Sequence, residues 1–210
     1  MIPLFPLQTV VYPGEQLPLH IFEKRYQELI QDSQGGGTFG IPTVIDKKLE
    51  YGTEVKLIKV AKQYPNGESD VVCEGLRVFK IKNFYKQFPG KLYAGADVEF
   101  IENESDGTVG LQEELLTKIA VLYLELTIDS PPVFKIPFIS YQVAHKVALT
   151  LRQEYHLLKL RNELERLKYL IEHIKITIPV VREMNRAKKM IKMNGHFRNF
   201  DPLDYKDFQM

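Results

Sequence analysis

Only one cysteine, Cys73, occurs in the 210 residues, so no internal disulfide can form, and a reducing, cytoplasmic compartment is the expectation. Excess charge is missing as well. The 28 Lys plus Arg and 27 Asp plus Glu leave a formal net charge of +1, which gives no general pull toward nucleic acid or anionic lipid. No window reaches the roughly 18 uninterrupted apolar residues of a membrane span. The opening Met1-Ile2-Pro3-Leu4-Phe5-Pro6 lacks a basic leader and carries two prolines, so it does not read as a signal peptide, and no membrane partner is expected. The Asn103-Glu104-Ser105 sequon is then expected to be silent. What remains, 44% apolar and 26% charged residues, is ordinary globular usage rather than the composition of a disordered chain.

Catalytic signatures are also absent. No G-x-x-x-x-G-K-[ST] occurs; Gly35-Gly36-Gly37-Thr38-Phe39-Gly40 lacks the lysine and leads into an apolar run, so it reads as a loop rather than a phosphate cradle. The G-x-S-x-G elbow is missing too. His20, His145, His156, His173 and His196 never stand in H-x-x-x-H spacing, and a single thiol makes a structural zinc site a poor expectation. Neither metal nor cofactor is expected, and no enzymatic activity. Cys73, in Val71-Val72-Cys73, reads as a small buried apolar residue, with a Cys–His pair to His20 as the alternative.

The pattern changes near residue 105. Before it, short apolar runs are broken by Gly and Pro. Leu92 to Ile101 alternates with a period of two. Thr53–Tyr64 and Ser69–Cys73 flank Pro65-Asn66-Gly67 and predict a hairpin. Val10–Tyr12, Leu17–Ile21, Phe39–Ile45 and Leu76–Phe84 add strands, and a helix is expected over about 22–31, with Phe22, Tyr26, Leu29 and Ile30 on one face. So many short strands suggest a small barrel or sandwich. Glu102–Gly107, polar and ending in glycine, marks the border.

Beyond it the apolar spacing is helical. Leu111, Leu115, Ile119, Leu122 and Leu126 form a stripe that Asp129-Ser130-Pro131-Pro132 should end. Ser140 is placed to N-cap a short helix bearing Val143, Ala144 and Val147. Leu157, Leu160, Leu164, Leu167, Ile171, Ile174 and Ile178 alternate by three and four, predicting one helix over 151–177, about 40 Å long. Such a helix needs partners along its length, either the 111–127 and 140–150 helices or a second coil. Pro179 should end or kink it. Next comes a basic segment, Arg182, Arg186, Lys188, Lys189, Lys192 and Arg198 against Glu183, as a helix capped at Gly195, and then Asp201, Asp204 and Asp207. If nucleic acid is contacted at all, it is through Arg182, Arg186, Lys188, Lys189 and Lys192. The expected division is therefore 1–105, a β-rich lobe; 106–178, a helical bundle; and 179–210, a basic helix with an acidic tail.

One cluster stands out: His20, Glu23, Arg25 and Tyr26. Such side chains could form an acid–base set; the plainer expectation is a hydrogen-bonded network at the strand-to-helix junction.

Those residues also carry a family resemblance. Pro3-Leu4-Phe5-Pro6-Leu7, Val10-Val11-Tyr12-Pro13-Gly14 and Leu17-Pro18-Leu19-His20-Ile21-Phe22-Glu23-Lys24-Arg25-Tyr26 resemble the opening of the Lon N-terminal, or substrate-binding, domain family. Phe39-Gly40-Ile41, Gly52-Thr53-Glu54-Val55, Glu74-Gly75-Leu76-Arg77-Val78, Ile139-Ser140-Tyr141-Gln142-Val143-Ala144 and Arg166-Leu167 continue it in order, over about 1–175. Lys24 departs from the proline that many members carry. The resemblance implies an α+β fold, a PUA-like β pseudo-barrel followed by a helical bundle, and a stand-alone member lacking the ATPase and protease modules of Lon proteases. It implies a non-enzymatic module that recognises unfolded or partner polypeptides in protein quality control, as an adaptor to a protease or chaperone; an RNA-binding PUA-like protein is the alternative. Binding unfolded chains needs exposed apolar surface. The candidates are Phe84, Tyr85 and Phe88, together with Pro132, Val133 and Phe134, and a groove between barrel and bundle is the expected place.

Overall fold

The computed structural model describes residues 1–106, 108–128, 131–137 and 139–196, with side chains through Ile191. Six strands, β1 (Ile2–Leu4), β2 (Gln16–Ile21), β3 (Thr38–Ile45), β4 (Lys48–Gln63), β5 (Ser69–Tyr85) and β6 (Ala94–Phe100), are interrupted by α1 (Lys24–Ser33). The helices α2 (Val109–Glu125), α3 (Tyr141–Ala144), α4 (Leu151–Lys159) and α5 (Glu163–His196) follow. The architecture is α+β, as expected.

The sheet order is β2-β5-β4-β3-β1-β6, and β6 pairs back onto β5, so five of the strands close into the expected pseudo-barrel. Closure depends on the length of β4 and β5. Their hairpin turns at Gly67, where φ is +88°, a conformation that glycine adopts without the Cβ penalty. The register slips at Glu54/Val55, Leu57/Lys59 and Val60/Lys62; such bulges bend a strand and raise its twist. Leu76–Phe84 is thus no separate strand but the second half of β5. Inside the barrel, Phe39, Ile41, Val55 and Cys73 are fully buried. The Cys73 thiol, pushed up by burial to about 12, is a core group. His20 lies across from Asp70 and Cys73 across from Leu17, so the Cys–His pairing does not form.

Several expectations are corrected. Val10–Tyr12 is buried but belongs to no strand; the carbonyls of Thr9 and Val11 accept instead from the hydroxyls of Thr43 and Thr53. Phe22, expected on one helix face with Tyr26, Leu29 and Ile30, and Leu92, expected to open the period-two strand, are 59% and 61% exposed. Helix α1 begins only at Lys24, past Phe22, and β6 begins at Ala94, past Leu92. The helix expected over 151–177 is two helices. The chain leaving β6 crosses the stripe at 160–162: Glu104 N–H donates to the Arg161 carbonyl, and Glu163 N–H donates to the Glu104 carbonyl. Asp106 then accepts from Leu164 N–H (2.9 Å), a bond that holds its carboxyl below the usual range. Pro179 does not end α5 but sits inside it, at an exposed position. The backbone of α5 stays helical through His196, so Gly195 does not cap it. Asp129 and Ser130 of the expected helix stop, Arg198 and the acidic run Asp201, Asp204 and Asp207 lie outside the described residues, as does the Lys192 side chain.

Helices α2, α4 and α5 bury Leu115, Ile119, Leu122, Leu157, Leu167, Ile171 and Ile174, and this core also takes in Tyr12, Val10 and Val78 from the sheet half. The seven-residue stripe is thus satisfied largely within the chain. The line where the two cores meet is the floor of the candidate site.

Candidate functional site

Local rules build one wall. Gly75 N–H donates to the Glu15 carbonyl (2.9 Å) and Gly14 N–H to the Gly75 carbonyl (2.8 Å), which presses the Tyr12–Glu15 turn onto β5. A Cβ at Gly75 would stand 2.2 Å from the Tyr12 carbonyl oxygen, so only glycine permits the contact. The register slip beside it leaves Leu76 unpaired with β4, and Leu76 projects, 36% exposed, into the groove. Beyond it, Arg77 lies over the Phe100 ring at 3.6 Å and donates to Glu54 (2.6 Å), which also accepts from Thr38 (2.8 Å).

A buried guanidinium builds the other wall. Arg166, 0% exposed, donates to the Glu163 carboxylate (2.7 Å), to Ser140 Oγ (2.9 Å), to Asn103, and to the carbonyls of Leu160 (2.8 Å) and Arg161 (3.0 Å), with Tyr141 under its plane at 4.5 Å. The carbonyls at the end of α4 are thereby satisfied where the helix breaks. Glu163 in turn accepts from Ser140 N–H (2.6 Å) and Oγ–H (2.8 Å). Ser140 stands at the N-terminus of α3 without capping it through its side chain; its hydroxyl serves Glu163 instead.

The walls meet at Tyr12 and His145. Tyr12 stacks on Tyr141 at 4.9 Å and donates to the Glu154 carbonyl (3.1 Å); burial raises its phenol well above the ordinary value. His145 reaches Glu154 through Nδ1 (2.7 Å) and Glu15 through Nε2 (3.2 Å), joining the turn of the sheet half to α4. Hydrogen bonds to Glu15 and Glu154 push its pKa up to about 9, so the imidazolium is the form at neutral pH.

The result is a groove of two hollows, of about 690 and 430 Å³, that share Pro13, Gly14 and Tyr141. The larger is lined by Leu76, Val78, Phe100 and Ile101 from the sheet half, by Ile139, Leu158 and Leu160 from the helical half, and by Arg77 and Arg161. The smaller adds Phe134, Gln142, His145 and Lys146. The larger hollow also takes in Glu102, Asn103 and Arg166, and the smaller one Glu15, so the groove suits a ligand that offers polar as well as apolar groups. Among the described residues, no group of His, Cys, Asp and Glu side chains could hold a metal ion, and no helix is long and apolar enough to cross a membrane.

Of the residues singled out from sequence, Phe134 alone lines this groove. Phe134 lines its smaller hollow, half-buried beneath Lys146 Nζ at 4.7 Å; Val133 beside it is 92% exposed, and Pro132 is half-buried. Phe84 and Tyr85 stand 44% and 41% exposed at the end of β5, with Tyr85 donating to Asp97 (2.7 Å). Phe88 packs partly into the barrel, 5.6 Å from the Tyr93 ring. The cluster at the β2–α1 junction divides. Arg25 pairs with Glu23 (2.7 Å) and covers Tyr26 at 4.5 Å, whereas His20, across from Asp70 in register, bonds Asp70 (2.7 Å) and approaches Glu68 at 3.5 Å. Arg166, Glu163, Tyr12 and His145 were not singled out as site residues; the visible signal was Glu163 and Arg166 three apart beside an apolar seam.

Residues 1–175 match the ATP-dependent protease La (LON) substrate-binding domain family. The chain belongs to that family. A Lon N-terminal domain protein from Xanthomonas campestris superposes with a TM-score of 0.64 at 27% identity, covering 81% of this chain and 96% of its own. The N-terminal domain of a Mycobacterium avium complex Lon protease gives a TM-score of 0.60 over 83% of this chain and 97% of its own; at 19% identity the likeness is one of fold. A Lon protease of Flavobacterium johnsoniae is 22% identical over 92% of this chain, which spans 26% of that relative's length. The similarity is thus to the N-terminal part of Lon. Pro13, Gly14, Leu76 and Tyr141, each within a stretch that resembles the family, line the groove.

Proposed function

We propose that this Lon-family domain is a non-enzymatic recognition module that takes extended polypeptide segments, from unfolded or partner proteins, into the groove between its sheet and helices. One observation carries the proposal: the two halves of the chain jointly line a groove that offers both apolar and polar side chains. Family membership supports it, since the family is named for substrate binding. The lobes are residues 1–105 and 106–178, with 179–210 appended. The setting we assign is cytoplasmic protein quality control, with bound chains passed to a separate protease or chaperone as by an adaptor. Phe84, Tyr85 and Phe88, and Pro132, Val133 and Phe134, are proposed to extend the contact beyond the groove. The RNA-binding alternative is less favoured, because Arg182 and Arg186 already hold Glu125 and Glu183.

The test is titration of a reduced, unfolded polypeptide against the intact chain, with its folded form as control. Affinity for the unfolded form, lost in Leu160→Asp and Ile139→Asp variants that remain folded, is the expected result. No binding at about 50 µM, a very modest affinity, or binding indifferent to both substitutions, would overturn the proposal.

A further inference from the structure

Past its contacts with α2, helix α5 continues without a neighbour among the described residues. Its inner face, Ile171, Ile174 and Ile178, is buried. The last bonds to α2 run from Arg182 to the Glu125 carboxylate (2.6 Å) and from Asn185 to the Glu125 carbonyl. Every side chain from Arg186 to Ile191 is exposed. A free helical extension this short is marginal in water without packing. On the face turned away from α2, Thr177, Val180, Met184, Ala187 and Ile191 recur at alternating intervals of three and four, the a and d positions of a two-stranded seam. Val180, Met184 and Ile191 are 55%, 54% and 71% exposed.

We propose that this seam pairs with the same seam of a second copy of the chain, parallel and in register. Charge complementarity selects that occupant. In a parallel pair, the g residue just before an a position faces the e residue just after the next d position of the other helix. Glu183 precedes Met184 and Lys188 follows Ala187, so each Glu183 meets the other copy's Lys188, twice by the two-fold symmetry. In the single chain Lys188 has no ion pair among the described residues. Glu183 holds only the exposed Arg186, and its carboxylate has acceptor sites to spare. Ile176 and Met190 are also exposed beside the seam; a lipid surface would leave the Glu183–Lys188 complementarity unused, and nucleic acid would leave Val180, Met184 and Ile191 uncovered.

Sedimentation velocity of the full chain from about 5 to 500 µM tests this, and its readout, mass, is independent of polypeptide binding. A monomer–dimer equilibrium is expected, with Met184→Asp raising the dimer Kd at least tenfold, Glu183→Lys raising it several-fold, and Glu183→Lys combined with Lys188→Glu restoring it. Oxidation of an Ile191→Cys variant should give a disulfide-linked dimer, because parallel register sets the two introduced thiols side by side while Cys73 stays buried. A chain monomeric throughout, or a dimer indifferent to Met184→Asp or to the charge reversals, would overturn the proposal; absence of the disulfide cross-link in the Ile191→Cys variant would overturn the parallel register.

Discussion

The two walls of the groove are held by different physics. On the sheet side the Tyr12–Glu15 turn is bound to β5 by main-chain hydrogen bonds through Gly75, which depend on the absence of a side chain at one position. On the helical side the wall hangs on the charged side chain of Arg166 and its partners Glu163, Ser140 and Asn103. A main-chain clamp tolerates nearly any neighbouring substitution, because every residue carries the same donors and acceptors. A buried ion node does not: removing one partner strands the other's charge in a low dielectric. The groove should therefore fail abruptly from the helical side and, from the sheet side, only at glycine.

Breaking the node gives the largest expected effect. Arg166→Leu, which leaves Glu163 buried without its counter-charge, should cost about 3–5 kcal/mol in chemical denaturation, and Arg166→Leu combined with Glu163→Leu should cost less than the single change. Next comes the clamp: Gly75→Ala forces a methyl against the Tyr12 carbonyl and should cost about 2–3 kcal/mol, whereas Leu76→Ala next to it, at an exposed position, should leave the melting temperature nearly unchanged while weakening polypeptide binding. The third effect sits where the walls join. The folded-state pKa of His145, about 9, lies above its ordinary value of about 6.5, so the stabilisation is fully present below pH 6.5 and fades as pH rises through 9. About a third of the side chain is exposed, and solvent screening reduces the effect to about 1 kcal/mol. Melting curves between pH 6 and 10 should show the loss, and His145→Gln should flatten it; an unchanged slope in that variant would remove His145 from the joint. The smallest effect belongs to the surface pair Arg25–Glu23: Arg25→Ala should shift stability by no more than about 0.5 kcal/mol, which sharpens the contrast with the buried arginine.

That contrast also marks how far local pattern carries. The hairpin at Pro65-Asn66-Gly67 and the helix over 109–125 were legible because turn chemistry and periodicity are local. Val10–Tyr12 looked like a strand because β-branched apolar residues suit strands, yet the Val11 carbonyl accepts from the Thr53 hydroxyl, remote in the chain. The stripe from Leu157 to Ile178 looked continuous because spacing does not register Glu104 crossing the chain at 160–162. Arg166 entered only through its place beside Leu167 in the family resemblance, since burial of a charge depends on partners that no window of neighbours contains.

By itself the sequence determined the change from period-two to helical text near residue 105, the strand positions of β2, β3, β4 and β6, the family motifs and the absence of catalytic signatures, all properties of residues near one another in the chain. Tertiary structure alone decided that β6 closes onto β5, that the long stripe breaks, that Glu15, His145 and Glu154 converge, and that Gly75 and Arg166 stand on opposite sides of one groove. Each of these sets a donor against an acceptor, or a backbone against a backbone, across tens of residues, and such pairings are settled by which buried polar groups can be satisfied together.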